Sequence, residues 1–367
     1  MKANRKNSLS GKYDPFLCAV VLLTITLGFL AIASATGFEK SRYLLVQGAA
    51  VFIGLVLLIL LQSVDYRKIG NFSPYIYIVN VLLLILVLFI GKGDEVGTRG
   101  WIRFGFIGIQ PSEIVKIGFI VTFAKHISLN KDDINNPKTL GLLLLHAAVI
   151  VFLILLQPDY GTASVFLVIM FVMLFVSKIS IKYILGVVGA LAVISPVMWF
   201  YVLKDYQKDR LFSFLNPEAN IQGSGFHVTQ SKLTIGSGGA IGAGLFNGPQ
   251  TQLGNLPEKH TDFIFAVIGE ELGLWGTLLV MILLLCIILK CFYVAQNTND
   301  FFGELICIGV GTMFLFHTFE NIGMCIGLTP VTGIPLPFLS YGGSNILASM
   351  LAIALVLNVR ARQRLLN

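Results

Sequence analysis

Five polar or ionisable residues stand in a row at Glu258-Lys259-His260-Thr261-Asp262, just before an apolar run that opens at Phe263. The carboxylate of Asp262 is thereby placed where water meets lipid, with Lys259 and His260 three and two residues upstream. Desolvation raises the pKa of such an acid and a nearby cation lowers it again. The result is a carboxylate that is ionised yet poorly solvated, the state a general base needs to take a proton from a hydroxyl. Asp262 is therefore the first catalytic candidate, weighed against the plainer reading of a helix cap. Glu270 and Glu271 follow eight and nine residues on, in a segment that must otherwise cross a bilayer. Charges at that depth cost roughly 2.5–3.5 kcal/mol each on insertion scales and usually serve a function. They pair with the polar loop or orient the base; Glu271 is kept as a site candidate, and one of the two is assigned to structure.

Glu113 and Lys116 stand three apart on one face of a helix that Pro111 and Ser112 open. They form a mutual ion pair, or Lys116 reaches a carboxylate on another helix. Asp159, in Gln157-Pro158-Asp159-Tyr160-Gly161-Thr162, is either a helix N-cap or a substrate or metal contact. Glu320 lies mid-span beside His317 and Asn321, read as a buried hydrogen-bonded cluster. The stretch Pro330 to Ser344 carries three prolines and three glycines at membrane level and cannot be helical throughout. Irregular backbone there is tolerated only against protein or a cavity, so this stretch, with Ser340 in it, is expected to line the same site.

The elements that hold these groups are membrane helices. Of 367 residues 56% are hydrophobic and 12% charged, about half the charge of a globular chain. Ten apolar segments approach the length of about 20 residues that crosses hydrocarbon: 15–36, 42–62, 72–91, 111–129, 138–156, 160–177, 181–203, 263–289, 302–326 and 343–359. The expected fold is an all-α polytopic membrane protein of about ten transmembrane helices, one integral domain over 1–367. The first segment is read as a retained span, since its run of about 20 residues exceeds a signal peptide's. With ten spans and the N-terminus inside, 15 of 26 Lys and Arg fall on the inner side, so both termini are expected in the cytoplasm. The net charge of +7 then reflects topology, with no nucleic-acid partner implied.

Residues 204–262, between spans 7 and 8, form a 59-residue extracellular loop with nine glycines that ends on Asp262. Its apolar content argues for a folded cap of short helices and turns. The glycine run 236–244 fails the dinucleotide pattern at Ile241 and Asn247, and no P-loop exists, so no nucleotide is expected. Tight turns or close backbone approach are what those glycines allow. The five cysteines are odd in number and read as apolar packing groups. Gln110-Pro111-Ser112 and Gln157-Pro158-Asp159 hint at a short repeat.

Several ordered stretches resemble the SEDS family of bacterial shape, elongation, division and sporulation proteins. They are Gln110-Pro111-Ser112-Glu113 with Lys116, Gln157-Pro158-Asp159 with Gly161-Thr162, Phe214-Leu215-Asn216-Pro217, Leu256 through Phe263, and Gly333 through Ser344. The wording Thr332-Gly333-Ile334-Pro335-Leu336-Pro337 and the minimal tails are closer to its elongation branch, RodA, than to its division branch, FtsW. The resemblance implies a peptidoglycan glycosyltransferase of the cytoplasmic membrane that polymerises lipid II on the outer face beside a class B penicillin-binding protein. The family's catalytic aspartate falls on Asp262 and the lysine paired with it on Lys116. Ala243 and Gly100 stand where many relatives carry a lysine and an arginine, which puts the role of those cations in doubt in this chain.

The substrate-site candidates are thus Glu113, Asp159, Arg99, Arg103, Arg210, Lys259, His260, Glu271 and Ser340. Arg99, Arg103, Arg210 and Lys259 are the cations for a departing pyrophosphate. A divalent ion, magnesium or manganese, is the alternative or addition; its protein ligands are unknown. The rival reading is a flippase for lipid-linked sugars, which interrupted helices and buried acids also suit. Against it, the acids and the large loop cluster at one face. A non-catalytic scaffold would leave Asp262 and Lys116 without a purpose.

Overall fold

The computed structural model describes residues 14–37, 41–91, 100–104, 107–186 and 224–363, with positions 189 and 196. The chain runs through α1 (Pro15–Thr36), α2 (Ser41–Ser63), α3 (Tyr66–Asn71), α4 (Ser73–Ile90), β1 (Ile102–Phe104), β2 (Ile107–Ile109), α5 (Pro111–Leu129), α6 (Pro137–Leu155) and α7 (Tyr160–Val176). After the undescribed stretch come α8 (Ser224–Gly238), α9 (Pro249–Gln252), α10 (Ile264–Gln296), α11 (Phe301–Ile326) and α12 (Gly343–Gln363). Nine of the ten expected spans have a helix among the described residues; most of 181–203 lies outside them, as does 204–223 of the long loop. Seven of these helices are long and apolar enough to cross a membrane, and α7 is an apolar helix just short of that length. The protein is a polytopic, all-α membrane protein, with one small β-hairpin among the described residues.

Local chemistry sets most helix starts. Asp14, Asn136, Asp159 and Asp300 each cap the helix that follows them, their side chains accepting from backbone N–H groups of the first turn. Proline occupies the first turn of α1, α4, α5 and α6, where its missing N–H is no loss.

Burial sorts the helices into a centre and a rim. In α11 and α12, 72% and 83% of the best spanning window is buried, against 22% and 17% in α2 and α4. The rim helices present Phe52, Ile59, Leu82 and Phe89 outward, as lipid-facing helices must. The centre contains the polar residues: Glu113 and Lys116 of α5, His317 and Asn321 of α11, and Asn358 of α12 are all buried. At one end Asp14 pairs with Lys290 and Arg360, and Asp65 with Arg362, tying both ends of the described chain to the core.

The expected span 263–289 differs from what forms. Helix α10 starts at Ile264 with Phe263 at the cap position, so Asp262 precedes the helix and does not cap it. The helix then breaks at Gly273 (φ 64°, ψ −160°). The cause is a loop 30 residues upstream. Ala243 and Gly244 N–H donate to the carbonyls of Glu270 and Glu271, and Leu274 N–H donates to Gly239 O. A Cβ on Gly242 would lie 2.2 Å from Glu271 O, so only bare backbone fits. The glycine run thus serves close approach, as its composition suggested.

Candidate active site

Asp262 lies in the turn that leads into α10, partly buried. Its backbone is fixed by α11, where Asn321 Nδ2 donates to Asp262 O at 2.9 Å and to Ile334 O at 2.8 Å. One amide thereby joins two chain segments 72 residues apart. Beside the carboxylate stands Gly333, in left-handed backbone at φ 74°, where a Cβ would lie 3.4 Å from Asp262 Oδ2. The irregular stretch after α11 therefore does line the Asp262 site.

That stretch makes one short turn, Ser340 N–H donating to Leu336 O at 3.1 Å, and is otherwise held by side chains and neighbouring segments. Ser340 Oγ accepts from Leu336 N–H at 2.8 Å, and the buried Gln47 of α2 donates to Ser340 O and accepts from Gly342 N–H. Ser340 is fully buried and shapes this turn, with no open face for a ligand. Tyr341 N–H donates to His260 O at 2.9 Å, which locks the stretch to the Asp262 turn. His260 packs in a three-ring cluster with Tyr43 and Tyr341, its ring centroid 4.8 and 5.6 Å from theirs and theirs 4.8 Å from each other. Burial, with Tyr43 beside it, pushes the Tyr341 phenol up.

Lys116 is 1% exposed. Its Nζ lies 2.7 Å from Glu113 Oε1 on the same helix and 3.0 Å from His317 Nε2 on α11. The same-helix ion pair with Glu113 forms as the three-residue spacing allows. His317 Nδ1 lies 3.3 Å from Pro335 O, in the stretch that borders Asp262.

The other expected site residues divide. Asp159 caps α7 through Thr162 N–H at 2.9 Å and accepts from Gln110 Nε2 at 3.2 Å. The two Gln-Pro motifs, weak as a sequence repeat, therefore meet in space. Gln110 N–H also donates to Ser344 Oγ, which brings this cluster to the start of α12. Arg103 is exposed on the hairpin. Lys259 Nζ donates to Thr251 O at 2.5 Å, and Thr251 N–H donates to Glu270 Oε2. Glu271 is buried and accepts from Ser34 Oγ of α1, next to an apolar pocket of about 110 Å³ lined by Leu27, Leu30, Leu245 and Ile268. Arg99 and Arg210 lie outside the described residues.

Three partners were not singled out from sequence. His317 and Asn321 were visible only as neighbours of Glu320, yet they, not Glu320, contact Lys116 and the Asp262 turn. His227 of α8 stacks on Phe263 with centroids 6.2 Å apart. Burial lowers the His227 pKa while Glu258 pulls it back up, and nothing in its sequence neighbourhood marks it.

A model of the cell cycle protein family that groups FtsW, RodA and SpoVE matches residues 15–365. The chain belongs to this family. It is 34% identical over 356 residues to the peptidoglycan glycosyltransferase MrdB of Escherichia coli strain K12, covering 96% of this chain and 95% of that one. Among solved structures it is similar to RodA of Thermus thermophilus, with TM-score 0.71 and 29% identity over 95% of this chain and 96% of that one. A chain from a peptidoglycan synthase complex that coordinates polymerization and crosslinking has TM-score 0.84 and 31% identity, covering 96% of this chain and 98% of that one. The family match runs from the first residue of α1 past the end of α12, and the three similarities each cover 95–96% of the chain.

Proposed function

We propose that this protein is a peptidoglycan glycosyltransferase that polymerises lipid II into β-1,4 glycan on the outer face of the cytoplasmic membrane, in cell elongation. Both termini are then cytoplasmic, and the partner is a class B penicillin-binding protein that crosslinks the strand. Likeness to MrdB, RodA and a synthase-complex chain supports the activity and the partner. The observation that carries the reading is the convergence on α11 of the Asp262 turn, the irregular stretch after Gly327 and buried Lys116. It supports a site in which one helix, α11, is shared by a carboxylate-bearing turn, a buried cation and non-helical backbone.

In this reading Asp262 takes the proton from the 4-hydroxyl of the acceptor sugar as that oxygen attacks C1 of the donor. The new C1–O4 bond forms as the bond from C1 to the pyrophosphate oxygen breaks. One displacement inverts the α-linked donor to a β-linked product. The departing pyrophosphate carries off the bonding pair and needs positive charge nearby. Lys116 is the buried cation of the site, and Lys259 and Arg103, with Arg99 and Arg210, are the outer ones.

Among the described residues no three of His, Cys, Asp or Glu gather into a metal-binding group. A magnesium or manganese ion, where bound, would draw on Asp159, the carboxylate that the sequence offers as a substrate or metal contact. It would neutralise the leaving charge.

The test is polymerisation of lipid II by the purified protein with its cognate penicillin-binding protein, one without a glycosyltransferase domain of its own, under a transpeptidase inhibitor. Removing a general base costs about 10²–10⁴ in rate. Folded Asp262→Ala should make no measurable polymer beside an active wild type. Equal polymer from both would place the base elsewhere. Bound but unpolymerised lipid II in both would favour a flippase.

A further inference from the structure

Asp262 belongs to the turn before α10 and Lys116 to α5, and α11 contacts both through two side chains one turn apart. His317 and Asn321 are four residues apart, so they share a helix face. His317 contacts Lys116 Nζ and Pro335 O, while Asn321 donates to Asp262 O and Ile334 O. The two carbonyls they engage are consecutive in the chain, and Gly333, the next residue back, borders the Asp262 carboxylate. His317 is 2% exposed and Asn321 fully buried, so neither is a solvent-facing accident of the surface.

The donors and acceptors fix the histidine's form. An ammonium has three N–H donors and no acceptor, and a carbonyl oxygen only accepts. His317 must therefore offer a lone pair at Nε2 to Lys116 and its N–H at Nδ1 to Pro335 O. This is the neutral Nδ1–H tautomer, held by a carbonyl on one side and a cation on the other. A hydrogen bond at one ring nitrogen commonly selects what the other can do.

Resting on the glycosyltransferase reading above, we propose that His317 is a positioning residue, which presents the Lys116 ammonium to the reacting site and, with Asn321, holds it in register with Asp262 through the carbonyls of Ile334 and Pro335. His317 itself touches no reacting atom. Its effect is on where the charge of Lys116 lies when the pyrophosphate departs. Misplacing a catalytic group by about 1 Å can cost about 100-fold in rate.

Glutamine and leucine separate this role from mere packing. A glutamine side chain carries one acceptor and one N–H donor end, so it can replace both contacts, whereas leucine fills the space and makes neither. The experiment measures lipid II polymerisation by the full-length protein with its penicillin-binding protein for wild type, His317→Gln and His317→Leu. Asp262→Ala is the blank. We expect His317→Leu to lose about 30-fold in kcat with KM for lipid II within threefold of wild type, and His317→Gln to recover to within about fivefold. Melting in detergent and co-purification with the partner establish that each variant is folded. A folded His317→Leu with wild-type kcat overturns the proposal. So does a folded His317→Gln as inactive as His317→Leu, or a loss confined to KM. An inactive wild type would instead fail the glycosyltransferase reading, and full activity in Asp262→Ala would fail only the assignment of the base.

Discussion

Glu270 and Lys116 are both buried charges on the membrane helices α10 and α5, with 0% and 1% exposure, and they are satisfied in opposite ways. Glu270 accepts from Gln250 N–H at 2.7 Å, Thr251 N–H at 2.9 Å and Ser237 Oγ at 3.2 Å. Two of these donors are backbone groups at the start of α9, which cannot turn away without unmaking the loop. The carboxylate is a staple between α10 and the loop that carries α9. Lys116 is instead held by Glu113 and His317, both titratable side chains. Its charge is matched by side chains alone, a carboxylate on its own helix and an imidazole on α11. A buried charge bound by backbone is committed to structure; one bound by ionisable side chains remains open to chemistry.

The comparison breaks most sharply at Lys116. Lys116→Met leaves Glu113 buried without its cation, and removing one partner of a buried pair typically costs about 3–5 kcal/mol. Lower melting in detergent and loss of lipid II polymerisation are both expected. The informative variant is the double replacement Glu113→Leu with Lys116→Met. With no orphan charge left it should regain most of the lost melting temperature, because apolar pairs often replace buried ion pairs at little cost. Polymerisation should stay absent. Recovery of activity along with stability would make the pair structural, like Glu270.

Glu270→Ala is the reverse case. It orphans two backbone N–H groups, while Ser237 Oγ keeps its bond to Thr234 O, and unsatisfied buried donors cost about 1–3 kcal/mol each. We expect reduced melting and easier proteolysis near residues 249–252, with kcat per folded molecule within a few-fold of wild type. A stable Glu270→Ala that has lost polymerisation would move this acid into the chemistry.

What could be read from the sequence followed from the range of each interaction. Hydrocarbon imposes about 20 apolar residues on every crossing, so the spans were legible one by one. Caps are equally local, and Asp159 is an N-cap as its place before Tyr160 allowed. The break at Gly273 was not legible, because its cause is the loop at 239–244, and a glycine inside an apolar run gives no sign of it. The hairpin Ile102–Phe104/Ile107–Ile109 has strands of three residues, too short for alternation to show. His317 and Asn321 were visible as polar groups on an apolar helix. Their partners, Lys116 and Asp262, are 201 and 59 residues away, so pattern alone assigned them to a local cluster with Glu320.

Gly333→Ala tests the same boundary on the backbone side. Left-handed backbone costs a residue with a Cβ roughly 1–2 kcal/mol. The added methyl would also stand 3.4 Å from Asp262 Oδ2. Because Gly333 is exposed and ends no helix, global melting should fall little, while polymerisation drops about tenfold. Unchanged activity would show that the stretch relaxes away from the carboxylate and that Asp262 does not depend on its close fit.

The smallest effect is expected at Asp159, which resembles Glu270 in being engaged by a backbone N–H and Lys116 in keeping a second, side-chain partner, Gln110. An N-cap aspartate changed to alanine costs about 1 kcal/mol, and asparagine caps nearly as well as aspartate. Asp159→Ala should therefore lower melting slightly, and Asp159→Asn should restore it. Activity separates the two roles that the position admits. If Asp159 only caps α7, Asp159→Asn polymerises lipid II at the wild-type rate. If its negative charge also contacts substrate or a metal ion, Asp159→Asn melts like wild type and is slow. The second result would extend the side-chain-held region outward from Lys116 to the junction of the two Gln-Pro motifs, and the first would place that junction with the Glu270 staple.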